Sequence, residues 1–270
     1  MKKESHHESK SLKTMYLYFF VVFLLICISL VIKIYYIYQQ SRFDPSHEFV
    51  LAVVQQNSVR QIIAFNPESS TISSLELQDT NLPYATLAKN YGIVTDGYIG
   101  TDPQQSQETD VNKLIWSSMI HTAIWKSNLT MLDKVRLLLF AKNISINNKN
   151  IQSISLKNQA SDLNTIISTA LNDQDISSEN ITIQIINATN VSGLGQRLGK
   201  ALTNMGANVV DVSSSDRIQK TSTLSYYGNR SYTSVRLQKF LGIKATNFTK
   251  QTIADIIITI GTDKENTQGF

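Results

Sequence analysis

Three glycines, Gly193, Gly195 and Gly199, follow the strand-like run at residues 181–186, with Arg197 and Lys200 among them and Asp211 in the next apolar run. Glycines at a strand-to-helix turn let backbone amides approach a phosphate, and an acid one strand later can hold a ribose. Two details count against a dinucleotide site. Residues 187–192 separate the strand from the first glycine, and the spacing is G-x-G-x-x-x-G. A tight turn and a closer spacing would be needed. The glycines also serve a plainer purpose, letting a helix start and pack close to a sheet. Free amides at that helix start could still hold an anion with Arg197 beside it. Asn187, Gly193, Gly195 and Arg197 are therefore the candidate binding residues.

Other reactive groups are sparse. Beyond residue 42 the histidines are His47 and His121, and the single cysteine, Cys27, lies upstream of them. Neither G-x-S-x-G nor H-E-x-x-H occurs, so nothing in the sequence argues for a serine nucleophile or that zinc motif. His121 has no His or Cys at ligand spacing. The expectation is no metal and no cofactor.

Charge excludes another class. The chain of 270 residues carries a net +4, with six basic and two acidic residues in 1–42, and nineteen of each sign in 43–270. No basic body remains to bind nucleic acid, and no nucleotide partner is expected.

The basic segment frames an uncharged run at residues 15–32. Eighteen residues make about 27 Å of helix, close to the hydrocarbon thickness of a bilayer. Tyr16 and Tyr18 precede its core, while Lys33, Tyr35 and Tyr36 follow it, as interfacial aromatics and a snorkelling lysine would. No small-x-small cleavage site follows, so the run reads as an uncleaved signal anchor rather than a signal peptide. Four lysines, Lys10 and Lys13 among them, precede it, which puts the N-terminus in the cytoplasm and the bulk of the chain outside. Little NAD or ATP is expected there, a third point against a nucleotide site.

The elements that position these residues follow from periodicity. Residues 49–55, 60–65 and 71–77 read as an antiparallel meander, the first nearly all apolar as a central strand would be. A helix through 84–90 ends at Gly92, and 97–109 reads as loop. Val111, Leu114, Ile115, Met119 and Ile120 form one helical apolar stripe, extended by Ile124 and Trp125. Leu132, Val135, Leu138, Leu139 and Phe140 form another; both are expected to be core. Residues 151–156 read as a closing strand. A polar stretch at 157–180 holds one short helix at 162–171. Strands at 181–186, 208–212, 223–227 and 255–260 alternate with helices at 193–205 and 232–241, ended by Gly206 and Gly242. The predicted organisation is a cytoplasmic tail (1–14), signal anchor (15–38), spacer (39–48), α+β domain (49–156), linker (157–180), a small β-α-β-β-α-β two-layer sandwich (181–263) and a tail (264–270). The fold class is α/β.

The last of these segments carries a resemblance. Ile-Thr-Ile-Gln-Ile-Ile-Asn-Ala-Thr-Asn-Val-Ser-Gly-Leu-Gly-Gln-Arg-Leu from residue 181, Leu202-Thr-Asn-Met-Gly206, and Ile256-Ile-Ile-Thr-Ile-Gly-Thr-Asp263 together resemble the C-terminal domain of LytR-type cell-envelope proteins. Gly195 stands where that family usually has Ala. Upstream, residues 63–80 are similar to the part of the LytR–CpsA–Psr catalytic domain that leads into an Arg-Asp-Thr motif, whose arginine helps bind the pyrophosphate of a polyprenyl-linked glycan. This chain has Gln78, Asp79 and Thr80 there. Neutral Gln78 cannot offset a diphosphate. The segment is either a non-catalytic remnant, with Asp79 its one candidate catalytic group, or ordinary strand–turn–strand likeness.

The resemblance implies a membrane-anchored extracytoplasmic envelope protein of binding or structural role at the cell wall. Its expected partners are the membrane and wall polymer or envelope proteins. The alternative it implies is a Mg²⁺-using glycopolymer phosphotransferase acting on polyprenyl-pyrophosphate-linked glycans.

Overall fold

The computed structural model describes residues 5–78, 82–101, 110–122, 125–144, 149–155, 160–249 and 252–265. The chain enters as one helix, α1 (Ser5–Gln40). Its stretch Met15–Gln40 contains an 18-residue window with a mean hydropathy of 2.8, is long and apolar enough to cross a membrane, and is not buried against the rest of the chain.

A mixed five-stranded sheet follows. β1 (Phe49–Gln55), β2 (Ser58–Asn66) and β3 (Thr71–Gln78) form the antiparallel meander. β4 (Gly97–Thr101) joins β1 in parallel, and β5 (Lys149–Ser155) joins β3 in parallel, giving the order β4-β1-β2-β3-β5. Both faces of this sheet are covered. Phe49, Leu51, Ile63 and Phe65 pack under α3 (Val111–Ile120) and α4 (Met131–Asn143). Val50, Ala52, Ile62, Ala64 and Leu75 pack on the other side with α2 (Leu87–Tyr91) and α5 (Ala160–Ala170). A strand buried on both faces has no polar side to show, hence the unbroken apolar run of β1.

The second sheet contains β6 (Thr182–Asn187), β7 (Asn208–Ser214), β8 (Thr223–Tyr227), β9 (Lys244–Phe248) and β10 (Ile256–Ile260) in the order β7-β6-β10-β8-β9. α6 (Gln174–Glu179), α7 (Leu194–Asn204) and α8 (Tyr232–Leu241) lie against one of its faces. β6 and β10 alternate buried and half-buried positions accordingly. Leu194, Leu198, Ala201, Leu202 and Met205, the inward residues expected of this helix, are all buried.

Several expectations are corrected. The region expected as loop from residue 97 opens with β4, and β9 is a strand where none was expected. β4 carries two glycines in five residues, and β9 is an edge strand with no apolar alternation. The helical stripes are only partly core. Ile120, Val135 and Leu139 are exposed, while Leu137 and Ala141 take the inward places on α4. Residues 157–180, expected as a polar linker, carry α5 and α6: Leu163 and Ile167 of α5 are buried in the first core, and Ile176 of α6 in the second. Ile124 lies outside the described residues.

Candidate functional site

The described residues place their largest group of buried charge along the seam between the two sheets. Glu48 immediately precedes β1, and Asp96 immediately precedes β4. Asp96 Oδ2 accepts from the Val50 amide at 2.9 Å, and the Asp96 amide donates to the Val50 carbonyl at 2.7 Å, which fixes the carboxylate against the sheet. Asp173 caps α6, accepting from the amides of Asp175 and Ile176. Arg236 reaches in from α8, one turn after Tyr232.

Arg236 and Asp96 form a fork-to-fork pair, Nη1 to Oδ1 at 2.6 Å and Nη2 to Oδ2 at 2.8 Å. Arg236 Nε lies 3.7 Å from Asp173 Oδ2, too far for a hydrogen bond, and is buried without one. Tyr232 donates its hydroxyl to Asp173 Oδ2 at 2.9 Å, and its ring stacks at 4.3 Å on His47, whose Nδ1 is 2.9 Å from Asp175. Glu179 accepts from the Tyr232 and Thr233 amides and the Thr233 hydroxyl. A carboxylate there complements the N-terminal dipole of α8. A separate tie joins the bodies through Asn204, whose Nδ2 donates to the carbonyls of Tyr91 and Gly92 at 3.0 Å.

Three acids, Glu48, Asp96 and Asp173, lie around one arginine, with Asp175 at the edge beside His47, and the electrostatics follow. Burial, then the nearby Asp173 carboxylate, pushes Glu48 well above the usual carboxylate range, with Arg236 opposing. Burial also raises Asp173, against the pull of the Tyr232 hydroxyl and Arg236. Burial and Asp173 raise the Tyr232 hydroxyl. Burial works against the Arg236 charge, but Asp96 outweighs it and raises its pKa further. The seam thus holds one fixed ion pair and a carboxyl, Glu48, that keeps its proton into a range where an exposed glutamate has lost it.

Above this joint opens a groove of about 180 Å³, lined by three cations, Arg42, Arg236 and Lys239, and three acids, Asp44, Glu48 and Asp96, with His47 and Tyr232 between them. Arg42 and Lys239 are exposed. Such a lining offers both donors and acceptors to a polar ligand. Among the described residues no group of three or more His, Cys, Asp or Glu is arranged to hold a metal ion.

The sequence-predicted binding residues lie elsewhere, together at the far end of β6. Asn187 is buried and turned inward: its Oδ1 accepts from the Thr189 amide and hydroxyl, and its Nδ2 donates to the Val191 carbonyl. Gly193 caps α7 at φ +76°, a left-handed conformation in which a side chain is strained. A Cβ on Gly195 would stand 3.1 Å from Val212 Cγ1 and 3.5 Å from Asn187 Cβ, so this glycine lets α7 lie close on the sheet. Arg197 is half-buried, with its Nε buried and unpaired. Gln78 ends β3 opposite Ser155, while its side chain, and all of Asp79 and Thr80, lie outside the described residues. Of the anchor flanks, Tyr16, Tyr18, Lys33, Tyr35 and Tyr36 are exposed along α1, and Lys10 and Lys13 fall in its first turns.

Sequence reasoning missed the seam. Asp173, three residues before Ile176 at a helix start, carries a capping signal. Nothing local marks Arg236, which sits at a charged position of an amphipathic helix until a partner from another body meets it.

A single apolar helix followed by two mixed sheets, the second a two-layer α/β sandwich, defines the class. Residues 180–263 match the family model described as LytR cell envelope-related transcriptional attenuator, bearing out the resemblance read from the sequence over the same segment. The match supports a protein associated with the cell envelope. No curated protein and no solved structure matches the chain.

Proposed function

We propose that the chain is a single-pass envelope protein, anchored by α1 with its N-terminus in the cytoplasm, whose exported bodies bind wall polymer or an envelope partner without catalysing a reaction. The observation that carries this reading is the match of residues 180–263 to the LytR C-terminal family. The apolar stretch Met15–Gln40 supplies the anchor. The Arg236–Asp96 clamp supports a rigid presentation of the C-terminal sandwich, since a bidentate buried pair leaves little rotational freedom at the joint. The groove above it, with the exposed Arg42 and Lys239 at its rim, supports contact with the phosphate and hydroxyl oxygens of an envelope polymer. The test is retention of the full chain, in detergent, on isolated wall material. Retention above a folded control, reduced by Arg42→Glu with Lys239→Glu, is expected. Equal retention of protein and control would overturn wall binding. Protease added to sealed cells should digest residues beyond the anchor, and their protection would reverse the orientation.

A further inference from the structure

α3 and α4 each bury one face and leave an apolar row on the other. On α4 the row is Met131, Val135 and Leu139, at 51, 36 and 57 % exposure; on α3 it is Trp116 and Ile120, at 53 and 58 %. Residues four apart share a helix face, so these are two continuous ridges. Lys134 Nζ donates to the Ser118 carbonyl at 2.9 Å, holding the helices side by side. Leu114, Ile115, Leu137 and Ala141 point into the sheet, so the ridges point away from it.

The position of this surface is fixed by the residues that leave α1. Asp133 Oδ1, in the first turn of α4, accepts from the Ser41 hydroxyl at 2.6 Å and from the amides of Arg42 and Phe43 at 2.9 Å. Burial alone would raise the Asp133 carboxyl, but hydrogen bonds from Ser41, Phe43 and Thr130 outweigh it and hold it low, so it stays ionised and bonded. One turn on, the Arg136 guanidinium lies 5.5 Å from the ring of Tyr38. The start of α4 is thus pinned against the aromatic end of the apolar helix.

Charge gives the third observation. Residues 43–270 balance overall, but 110–144 hold Lys113, Lys126, Lys134, Arg136 and Lys142 against two acids, Asp110, which caps α3, and Asp133, which is occupied at the tether. Lys113, Lys126 and Lys142 are exposed. Apolar ridges carrying a tryptophan, bordered by lysines and fixed beside a membrane-crossing helix, have the composition of an interfacial surface.

We propose that the α3–α4 ridges rest on the bilayer, burying Trp116, Ile120, Met131, Val135 and Leu139 among the headgroups of an anionic lipid surface. This rests on the reading of α1 as a membrane span. Docked in this way, the first sheet lies down on the membrane and the C-terminal sandwich is held at a set orientation above it.

The test uses the full chain with Trp125→Phe, which leaves Trp116 as the remaining tryptophan, in vesicles of phosphatidylcholine with or without phosphatidylglycerol. Trp116 emission should shift to the blue and be quenched by lipids brominated near the headgroup end of the chain, more strongly with phosphatidylglycerol. Lys113→Glu, Lys126→Glu and Lys142→Glu together should remove that difference between lipids. Should the buried Trp125 resist replacement, a nitroxide at Val135→Cys in a Cys27→Ser background gives a second reading: greater accessibility to oxygen than to a water-soluble nickel complex supports docking, and the reverse overturns it. Trp116 left unquenched by brominated lipid, in protein that resists carbonate extraction, overturns docking alone. A blue shift that appears equally in detergent and grows with protein concentration means that a second copy covers the ridges, and overturns it too. Release by carbonate overturns the anchor reading, and the docking with it.

Discussion

The two sheets are alike in size and in mixing parallel with antiparallel pairs, yet they are buried differently. The first has helices on both faces, and β1 and β2 are buried along almost their whole length. The second has helices on one face, and β6 and β10 alternate. A two-sided sheet is fixed by apolar volume on both faces, whereas a one-sided sheet keeps a face free for solvent or a partner. The open face shows it: Gln184, Ser225 and Thr259 lie on the side opposite the buried Ile183, Leu224 and Ile258.

The sharpest way to break this comparison is to cut into each sheet. Phe65→Ala, in the two-sided sheet, should cost about 3–5 kcal/mol, and Ile257→Thr, on the open face of the second, less than about 1 kcal/mol, read by thermal or denaturant unfolding. Similar losses would mean that the open face is covered. Next in size is the joint. Arg236→Met leaves Asp96 without its paired cation beside Glu48 and Asp173, and the Arg236 side chain is only 12 % exposed. A loss of about 3 kcal/mol is expected, and two separate unfolding transitions should replace one if the pair couples the bodies. Unchanged stability would show that the seam is held by Asn204 and apolar contact instead.

A smaller loss is expected where α1 meets α4. Asp133 completes a capping box with Thr130 and receives the three groups from residues 41–43. Asp133→Asn should cost about 1–2 kcal/mol and loosen α1 from α4, visible as faster amide exchange at residues 41–43. The smallest effect is a pH dependence. Glu48 holds its proton to higher pH in the folded chain than in the unfolded one, so between those two pKa values the folded state binds more protons and stability falls as pH rises. Glu48→Gln should therefore melt with the wild type below about pH 4 and above it at neutral pH. A gap that does not change with pH would place Glu48 in an ordinary environment.

Much of the fold is legible in the residues. The meander, the glycine-ended helices at Gly92, Gly206 and Gly242, and the inward face of α7 all follow from short-range periodicity and left-handed caps. The misses share one cause. Gly97-Tyr-Ile-Gly-Thr101 becomes a strand because Leu51 to Gln55 offer it a parallel edge, and Lys244-Ala-Thr-Asn-Phe248 because β8 does. Neither has a pattern of its own. Asn187, Gly193, Gly195 and Arg197 lie together at the end of β6, but Asn187 spends its hydrogen bonds on its own turn and Gly195 serves helix packing, which only coordinates could show.

By itself the sequence determined the apolar span, the class of each sheet's central strands and the likeness of the last third to a LytR-type domain, because each depends on residues close together in the chain. Only the tertiary structure decided that Asp96 meets Arg236 across 140 residues, that Glu48 is shut among acids, and that the ridges of α3 and α4 face outward beside the apolar helix α1. Those outcomes depend on how separately formed bodies dock. Docking sets burial, and burial sets what a charge or an apolar side chain does there.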